Sequence, residues 1–365
     1  MDGSIKFAII GWIRTFLIQS FSVIVLFLVS DYVYTNYIWI DDNQENIYRI
    51  KHDIYHHSLL PSFNGMGKWG ETSYRVCTDG NGFINDCNNI LSLKSNFDIA
   101  FIGDSFTEAI GMSYEDSFVG MFAAANPSIN VANLSVTSYS PTIYRTKLQY
   151  FIEKGYSFKH VIAFIDISDV QDESLYFRDS NGHVYSINDE EIAQRTLFSI
   201  SKTYIKDNFL LLTYVFREIK QLFIDEDDPL KRDRSEWTYN TSSSAYGDLG
   251  VTGSINKAIL EMTQLYELLE RNDIKLSIGV YPWPAQINEM AKYNSDANLQ
   301  VDIWHKFCIN RCANFINVFP DYFRLIKNSS VEDIYQSYFI KGDVHYNIEG
   351  NRLISDSLLK LDFSK

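Results

Sequence analysis

From Phe7 to Ser30 the chain reads FAIIGWIRTFLIQSFSVIVLFLVS, an apolar run whose one charge, Arg14, lies near its start. Such a run is long enough to cross a bilayer as a helix, with Arg14 snorkelling to the interface; a buried core helix is the alternative. The next stretch, to about residue 95, carries His56-His57, Pro61 and the Gly-rich NGMGKWG with no clean period of 2 or 3.6, so it reads as an irregular segment wrapped around the domain C-terminal to it. From Phe97 a regular order begins: strand FDIAFIG, helix YEDSFVGMFAAA, strand INVANLS, helix TIYRTKLQYFIEKG, strand HVIAFIDI. Strands that alternate with helices of this length mark a parallel sheet with crossover helices. The rhythm breaks between about 170 and 252, where a polar stretch, an apolar-rich helix from Thr203 to Phe223, the charged DEDDPLKRDR and the small, polar TSSSAYGDLG read as an insertion. That helix has two readings, a lid or an element lying on a membrane. Order resumes with helix INKAILEMTQLYELLERN, strand KLSIGVYP, a helix through VDIWHKFCINRC, strand FINVF and a last helix NIEGNRLISDSLLKL. The predicted organisation is a cytoplasmic stub and transmembrane anchor over 1–34, an irregular segment over 35–95, and one α/β domain over 96–365.

Composition and charge narrow the possible partners. With 365 residues, 46% hydrophobic and 15% aromatic, the chain can bury a sizeable core. A net charge of −14 offers no cationic surface to neutralise a phosphate backbone, which excludes nucleic acid as a partner. Lys6 and Arg14 lie before or early in the apolar run, whereas Asp31, Asp41 and Asp42 come after it. The positive-inside rule then puts the N-terminus in the cytoplasm and the α/β domain outside, in a bacterial periplasm. No A-x-A-like cleavage site comes after the run, so the segment reads as a retained signal anchor. Four cysteines in two close pairs, Cys77 with Cys87 and Cys308 with Cys312, suit local disulfides in an oxidising compartment. Zinc is the rival, and the wide Cys77–Cys87 gap fits it poorly. For CINRC the question stays open, because two cysteines four apart on a helix have parallel Cβ vectors that resist bridging.

The candidate chemistry gathers at the carboxyl ends of the predicted strands, where open parallel sheets bind ligands. In FDIAFIGDSFTEAIG, Ser105 comes after the first strand at a helix start, where free N–H groups could hold an oxyanion. The competing reading is a capping box formed by Ser105 with Glu108. Of seven histidines, His345 stands out: KGDVHYNIEGN puts Asp343 two positions before it, on the same side of an extended segment. Asp343 could then orient the imidazole while its other nitrogen faces Ser105, as in a catalytic triad. The G-x-S-x-G elbow of α/β-hydrolases is absent.

These residues resemble the SGNH, or GDSL-type, hydrolases. GDSFTEA is similar to the family's first block, which implies Ser105 as nucleophile and oxyanion donor. NLSVTSYSP is similar to the second, with Ser138 where the family usually has a glycine whose N–H donates. IDISDVQDE is similar to the third, G-x-N-D, with Asp166 at the glycine and Ser168 at the oxyanion asparagine. The last block is usually D-x-x-H; the D-x-H found here is similar to that of relatives that acetylate bacterial exopolysaccharides, such as alginate acetylation proteins. The resemblance covers about residues 97–172 and 275–361 and implies a flavodoxin-like three-layer α/β/α sandwich.

The expectation is therefore a membrane-anchored serine esterase removing acyl groups, O-acetyl above all, from a cell-envelope glycan. One alternative is an O-acyltransferase that acetylates a surface polysaccharide with a membrane-bound O-acyltransferase partner. Another is a glycan-binding scaffold whose chemistry has decayed. Asp104, Asp169 and Trp283 are candidate substrate contacts, Trp283 as a stacking surface for a sugar ring. No metal and no dissociable cofactor is implied.

Overall fold

The computed structural model describes residues 3–38, 47–70, 72–188, 208–223, 228–231, 233–238 and 249–361. The chain forms two compact units, Met1–Glu45 with Glu191–Glu226, and Asn46–Glu190 with Asp227–Lys365. In the first unit the apolar run is a single helix, α1 (Gly3–Val33), which ends in a π-helical turn, Tyr34–Ile38. It is long and apolar enough to cross a membrane.

The second unit opens with two antiparallel hairpins where the sequence predicted irregular chain: β1 (Arg49–His52) with β2 (His56–Leu59), and β3 (Asn64–Trp69) with β4 (Thr72–Cys77). These strands have four to six residues and little alternation, so no period identified them. Their Tyr48, Tyr55, Leu59, Tyr74 and Val76 are buried in the domain's core. The chain continues through β5 (Asn96–Ile102), α2 (Ser105–Glu108), α3 (Phe118–Ala125), β6 (Val131–Asn133), α4 (Pro141–Glu153), β7 (Ser157–Phe164) and α5 (Ile167–Glu173). A small hairpin, β8 (Tyr176–Arg178) with β9 (Val184–Ser186), comes next. Of the predicted Thr203–Phe223 helix, α6 (Leu210–Phe223) is described and belongs to the first unit; 203–207 lie outside the described residues. Then come α7 (Gly250–Arg271), β10 (Lys275–Val280), α8 (Pro284–Tyr293), α9 (Leu299–Cys308), β11 (Asn314–Asn317), α10 (Phe319–Ile326), α11 (Val331–Tyr338) and α12 (Ile348–Leu359).

The central sheet is parallel, in the order β11-β10-β7-β5-β6. Counting its five strands along the chain gives 2-1-3-4-5, the flavodoxin-like order, with a switch point between β5 and β7. Ala100, Phe101 and Ile102 on β5 and Val161–Phe164 on β7 are wholly buried, as near-continuous apolar central strands require. Helix α3 packs with α12 and α4 with α7, supplying the helical layers. Glu261 on α7 accepts from Arg145 on α4 (2.7 Å) and Arg178 on β8 (2.5 Å), fastening the small hairpin to this layer.

Both cysteine pairs are bridged. The second differs from the predicted geometry because α9 stops at Cys308: Ile309 leaves helical space (ψ 118°) and Asn310 turns left-handed (φ 62°). The two cysteines therefore do not sit on consecutive turns of one helix, and their Cα atoms approach to 4.7 Å.

Candidate active site

The sheet edge at the switch point assembles the site. Strand β5 ends at Ile102, and Gly103 makes the turn. A Cβ on Gly103 would lie 2.3 Å from Thr107 Oγ1 and 3.1 Å from the Phe164 carbonyl, so a side chain here would force Thr107 of α2 to move and would crowd β7. Asp104 is the N-cap of α2, its Oδ1 accepting from Phe106 N (3.1 Å). The capping box of the competing reading, Ser105 with Glu108, is not formed. Ser105 instead projects, half-buried, toward the loop before α12, and Glu108 pairs with Arg49 of β1 (3.0 and 2.5 Å). Helix α2 is only one turn, closed by Ala109 at φ 70°, so what it offers Ser105 is its first N–H groups and little dipole.

Ser105 Oγ lies 2.8 Å from His345 Nε2, and His345 Nδ1 lies 2.7 Å from Asp343 Oδ1. The Asp343 carboxylate also accepts from Val344 N (2.5 Å), His345 N (3.1 Å) and, on Oδ2, Trp69 Nε1 (2.6 Å). An acceptor beside Nδ1 fixes the proton there and leaves Nε2 to accept from Ser105. Burial pushes the Asp343 carboxyl up, but the hydrogen bond and charge of His345, joined by the His345 and Trp69 N–H groups, hold it well below the usual carboxylate range. Phe106 lies across the imidazole (4.5 Å between centroids), Trp69 meets it edge-on (5.2 Å), and Tyr335 OH accepts from Asp343 N (2.9 Å).

Sequence reasoning missed Trp69, on β3, because the contact joins positions 274 residues apart. Its one signal was an isolated tryptophan in NGMGKWG, a stretch otherwise poor in core residues. It also missed the Glu108 clamp, in which Glu108 accepts from both Arg49 and Thr137 N (2.6 Å) and so fixes the second-block loop. On that loop Ser138 is exposed and left-handed, φ 59°, the conformation that favours glycine.

The third block departs most from expectation. Asp166 caps α5, accepting from Ser168 N (2.7 Å) and Asp169 N (3.3 Å), while Asp169 accepts from Asp166 N (2.8 Å). The Ser168 hydroxyl reaches Asp166 Oδ1 (2.7 Å) and Asp104 Oδ2 (3.2 Å). Its single proton serves a carboxylate, and its N–H is spent on the cap, so Ser168 is not positioned as the oxyanion donor expected of it. The candidate substrate contacts need the same correction. Asp104, Asp169 and Trp283 are 1%, 0% and 3% exposed and lie beneath the surface, with Trp283 Nε1 donating to Asp166 Oδ2 (2.8 Å) and Tyr144 OH to Asp169 (3.0 Å).

Asp104, Asp166 and Asp169 thus form a buried cluster with one oxygen of each within 4.8 Å of the others. Burial first, then the neighbouring carboxylate charges, pushes Asp104 and Asp169 well up; burial also raises Asp166. Hydroxyl, indole and backbone donors converge on these oxygens and oppose that rise in part, and they occupy lone pairs that a metal would need. The consequence reaches Ser105, whose hydroxyl has two acceptors, His345 Nε2 and Asp104 Oδ2 (3.1 Å). An Asp104 held toward its neutral form is the poorer acceptor, which favours His345.

By sequence, the chain matches no protein-family model and no curated protein. By structure it is similar to a member of the lipolytic protein G-D-S-L family from Veillonella parvula DSM 2008 (12% identity, 73% of this chain and 99% of that chain, TM-score 0.41). It is also similar to an acetylxylan esterase from Geobacillus stearothermophilus (10% identity, 75% and 99%, TM-score 0.39). A third is a psychrotrophic esterase from Pseudoalteromonas sp. (11% identity, 73% and 96%, TM-score 0.36). The structural neighbours of this chain are therefore G-D-S-L lipolytic proteins and esterases, acetylxylan esterases among them.

Proposed function

We propose that the chain is a membrane-anchored serine esterase of the SGNH type that acts on acyl esters, O-acetyl groups above all, of a cell-envelope glycan. One observation carries the reading: an unbroken hydrogen-bonded line from Ser105 Oγ through His345 to Asp343, with both links under 3 Å. Ser105 Oγ attacks the ester carbonyl as its proton passes to Nε2. Asp343, charged and held by four N–H donors, stabilises the imidazolium that forms. The oxyanion is met by the backbone N–H groups of Ser105 and Ser138. Its collapse expels the sugar alkoxide, which takes the proton from Nε2 and leaves the acyl group on Ser105 Oγ. A water molecule deprotonated by His345 then attacks the acyl-enzyme and releases the carboxylic acid.

A sugar hydroxyl in place of that water makes the same machinery an O-acyltransferase. The D-x-H spacing, shared with exopolysaccharide acetylation proteins that the sequence resembles, supports this second reading, with a membrane-bound O-acyltransferase as acyl source. Both readings need a reactive Ser105, and a decayed scaffold does not. A fluorophosphonate probe should label the full-length protein and not Ser105→Ala; an unlabelled wild type would refute both. Deleting the gene and measuring O-acetyl on surface glycans separates them, since a rise means removal and a loss means addition.

A further inference from the structure

Helix α6 carries Leu212, Val215, Phe216 and Ile219 at the i, i+3, i+4, i+7 spacing of one stripe. Its fourteen residues are too few to cross a bilayer. Its N-terminus is held by the end of α1. Asp31 accepts from Leu211 N (3.2 Å) and Leu212 N (3.1 Å), and Thr35 Oγ1 accepts from Leu210 N (3.2 Å) while donating to Asp31 (3.0 Å). Three N–H groups that a helix start leaves unpaired are thus satisfied by two side chains one turn apart on the preceding segment. The Asp31 charge also faces the positive end of the α6 dipole. Asp31 is 0% exposed, although Val29 and Tyr32 beside it are 55% and 61% exposed.

The position of Asp31 in the sequence says what covers the α6 stripe. It comes directly after the apolar run that ends at Ser30, so with α1 across a bilayer it stands at the boundary between hydrocarbon and water, and the start of α6 stands there too. On the stripe of α6, Phe216 is 63% and Ile219 44% exposed, large apolar surface that a helix in water would bury. We propose that α6 lies in the membrane interface with its apolar stripe among the acyl chains, hooked to the anchor by Asp31, so that the insertion is a second point of lipid attachment. This rests on the reading of α1 as a membrane span and is independent of the chemistry at Ser105.

The test uses the full-length protein in phosphatidylcholine vesicles. The four native cysteines are bridged, so Phe216→Cys, Ile219→Cys and, as depth reference, Leu17→Cys can each carry one fluorophore. Lipids bearing a nitroxide near the headgroup or deep in the chain then report depth. Labels at 216 and 219 should be quenched at least about twofold more by the shallow nitroxide than by the deep one, and the label at 17 more by the deep one. Asp31→Ala should reduce the shallow quenching at 216 and leave position 17 unchanged. Quenching at 17 with none at 216 and 219 would overturn the in-plane helix alone. No quenching at any position would overturn the span and the helix together, while fluorophosphonate labelling of Ser105 would still report the esterase reading separately.

Discussion

Replacing Trp69 with phenylalanine removes one hydrogen bond and leaves a ring to pack against His345. The bond lost runs from an indole N–H to Oδ2 of the Asp343 carboxylate at 2.6 Å, on the oxygen that does not face the imidazole. A hydrogen bond to a charged group contributes about 1.5–3 kcal/mol. Asp343's side chain is 24% exposed, so water compensates in part and about 1.5–2 kcal/mol is the ceiling, or at most roughly 10- to 30-fold in rate, because only the part of the bond that strengthens as the imidazolium forms lowers the barrier. The loss should fall on kcat more than on KM, because the carboxylate matters most when the imidazolium has formed. The sign of the pH effect is set by Asp343 being held low. Without Trp69 its carboxyl moves upward and retains the shared proton more tightly, so the acid limb of kcat/KM should shift to higher pH. The assay is hydrolysis of a p-nitrophenyl ester by full-length protein across the acid range, with thermal unfolding as the control for folding. An unchanged kcat and acid limb would refute the role of Trp69. So would a loss confined to KM.

Three further outcomes test other parts of the structure. Ser168→Ala should lower kcat less than about tenfold, because its hydroxyl faces Asp166; a loss of about 100-fold or more would make it an oxyanion donor after all. Lys147 is 1% exposed, with Nζ donating to the Leu134 carbonyl (2.7 Å) and Tyr139 OH (3.0 Å), and burial, opposed by the Glu108 and Asp79 charges, pushes it down to about 7. Between pH 7 and the ordinary lysine value near 10.4 the unfolded chain then binds the proton that the folded one lacks, so stability rises with pH by up to about 4 kcal/mol. Unfolding of Lys147→Met against wild type should show that rise only in the wild type, and equal slopes would refute it. Removing the Cys77–Cys87 bridge, whose cysteines are 10 positions apart, should cost about 2–3 kcal/mol in thermal unfolding under oxidising conditions; no change would place the bridge outside the folded state's constraints.

The parallel sheet was legible because β5 and β7 are buried on both faces and therefore read as continuous apolar runs between helical segments. The hairpins were not legible, because strands such as HHSL and NGMGKW owe their structure to the core they cover and carry no period of their own. Helices α8 and α10 went unread for a similar reason, although Pro284 and Pro320 stand in their first turns, where proline is well tolerated. At the site, Ser105, Asp343 and His345 could be named because each lies where strand order and spacing constrain it. The third block could not, because a family pattern says which residue is absent and not what the replacement does. Asp166 forms a capping box with Asp169, and that cap consumes both donors of Ser168.

Asp166 also explains why the buried acids form one system with Ser105. An Asp at 166 places a second carboxylate beside Asp104, and burial together with the neighbouring charge pushes Asp104 toward its neutral form, against the donors that reach it. A neutral Asp104 is a weak competitor for the Ser105 hydroxyl, whereas a charged one would draw that proton away from Nε2. On the proposed reading the aromatic floor made by Phe106, Tyr281 and Trp283, whose indole N–H also donates to Asp166, bears on the chemistry, since it limits water at the carboxylates and so leaves His345 to accept from Ser105. Substituting polar residues into this floor should impair the serine's reactivity without touching any member of the triad, an effect invisible to an inspection of Ser105, His345 and Asp343 alone.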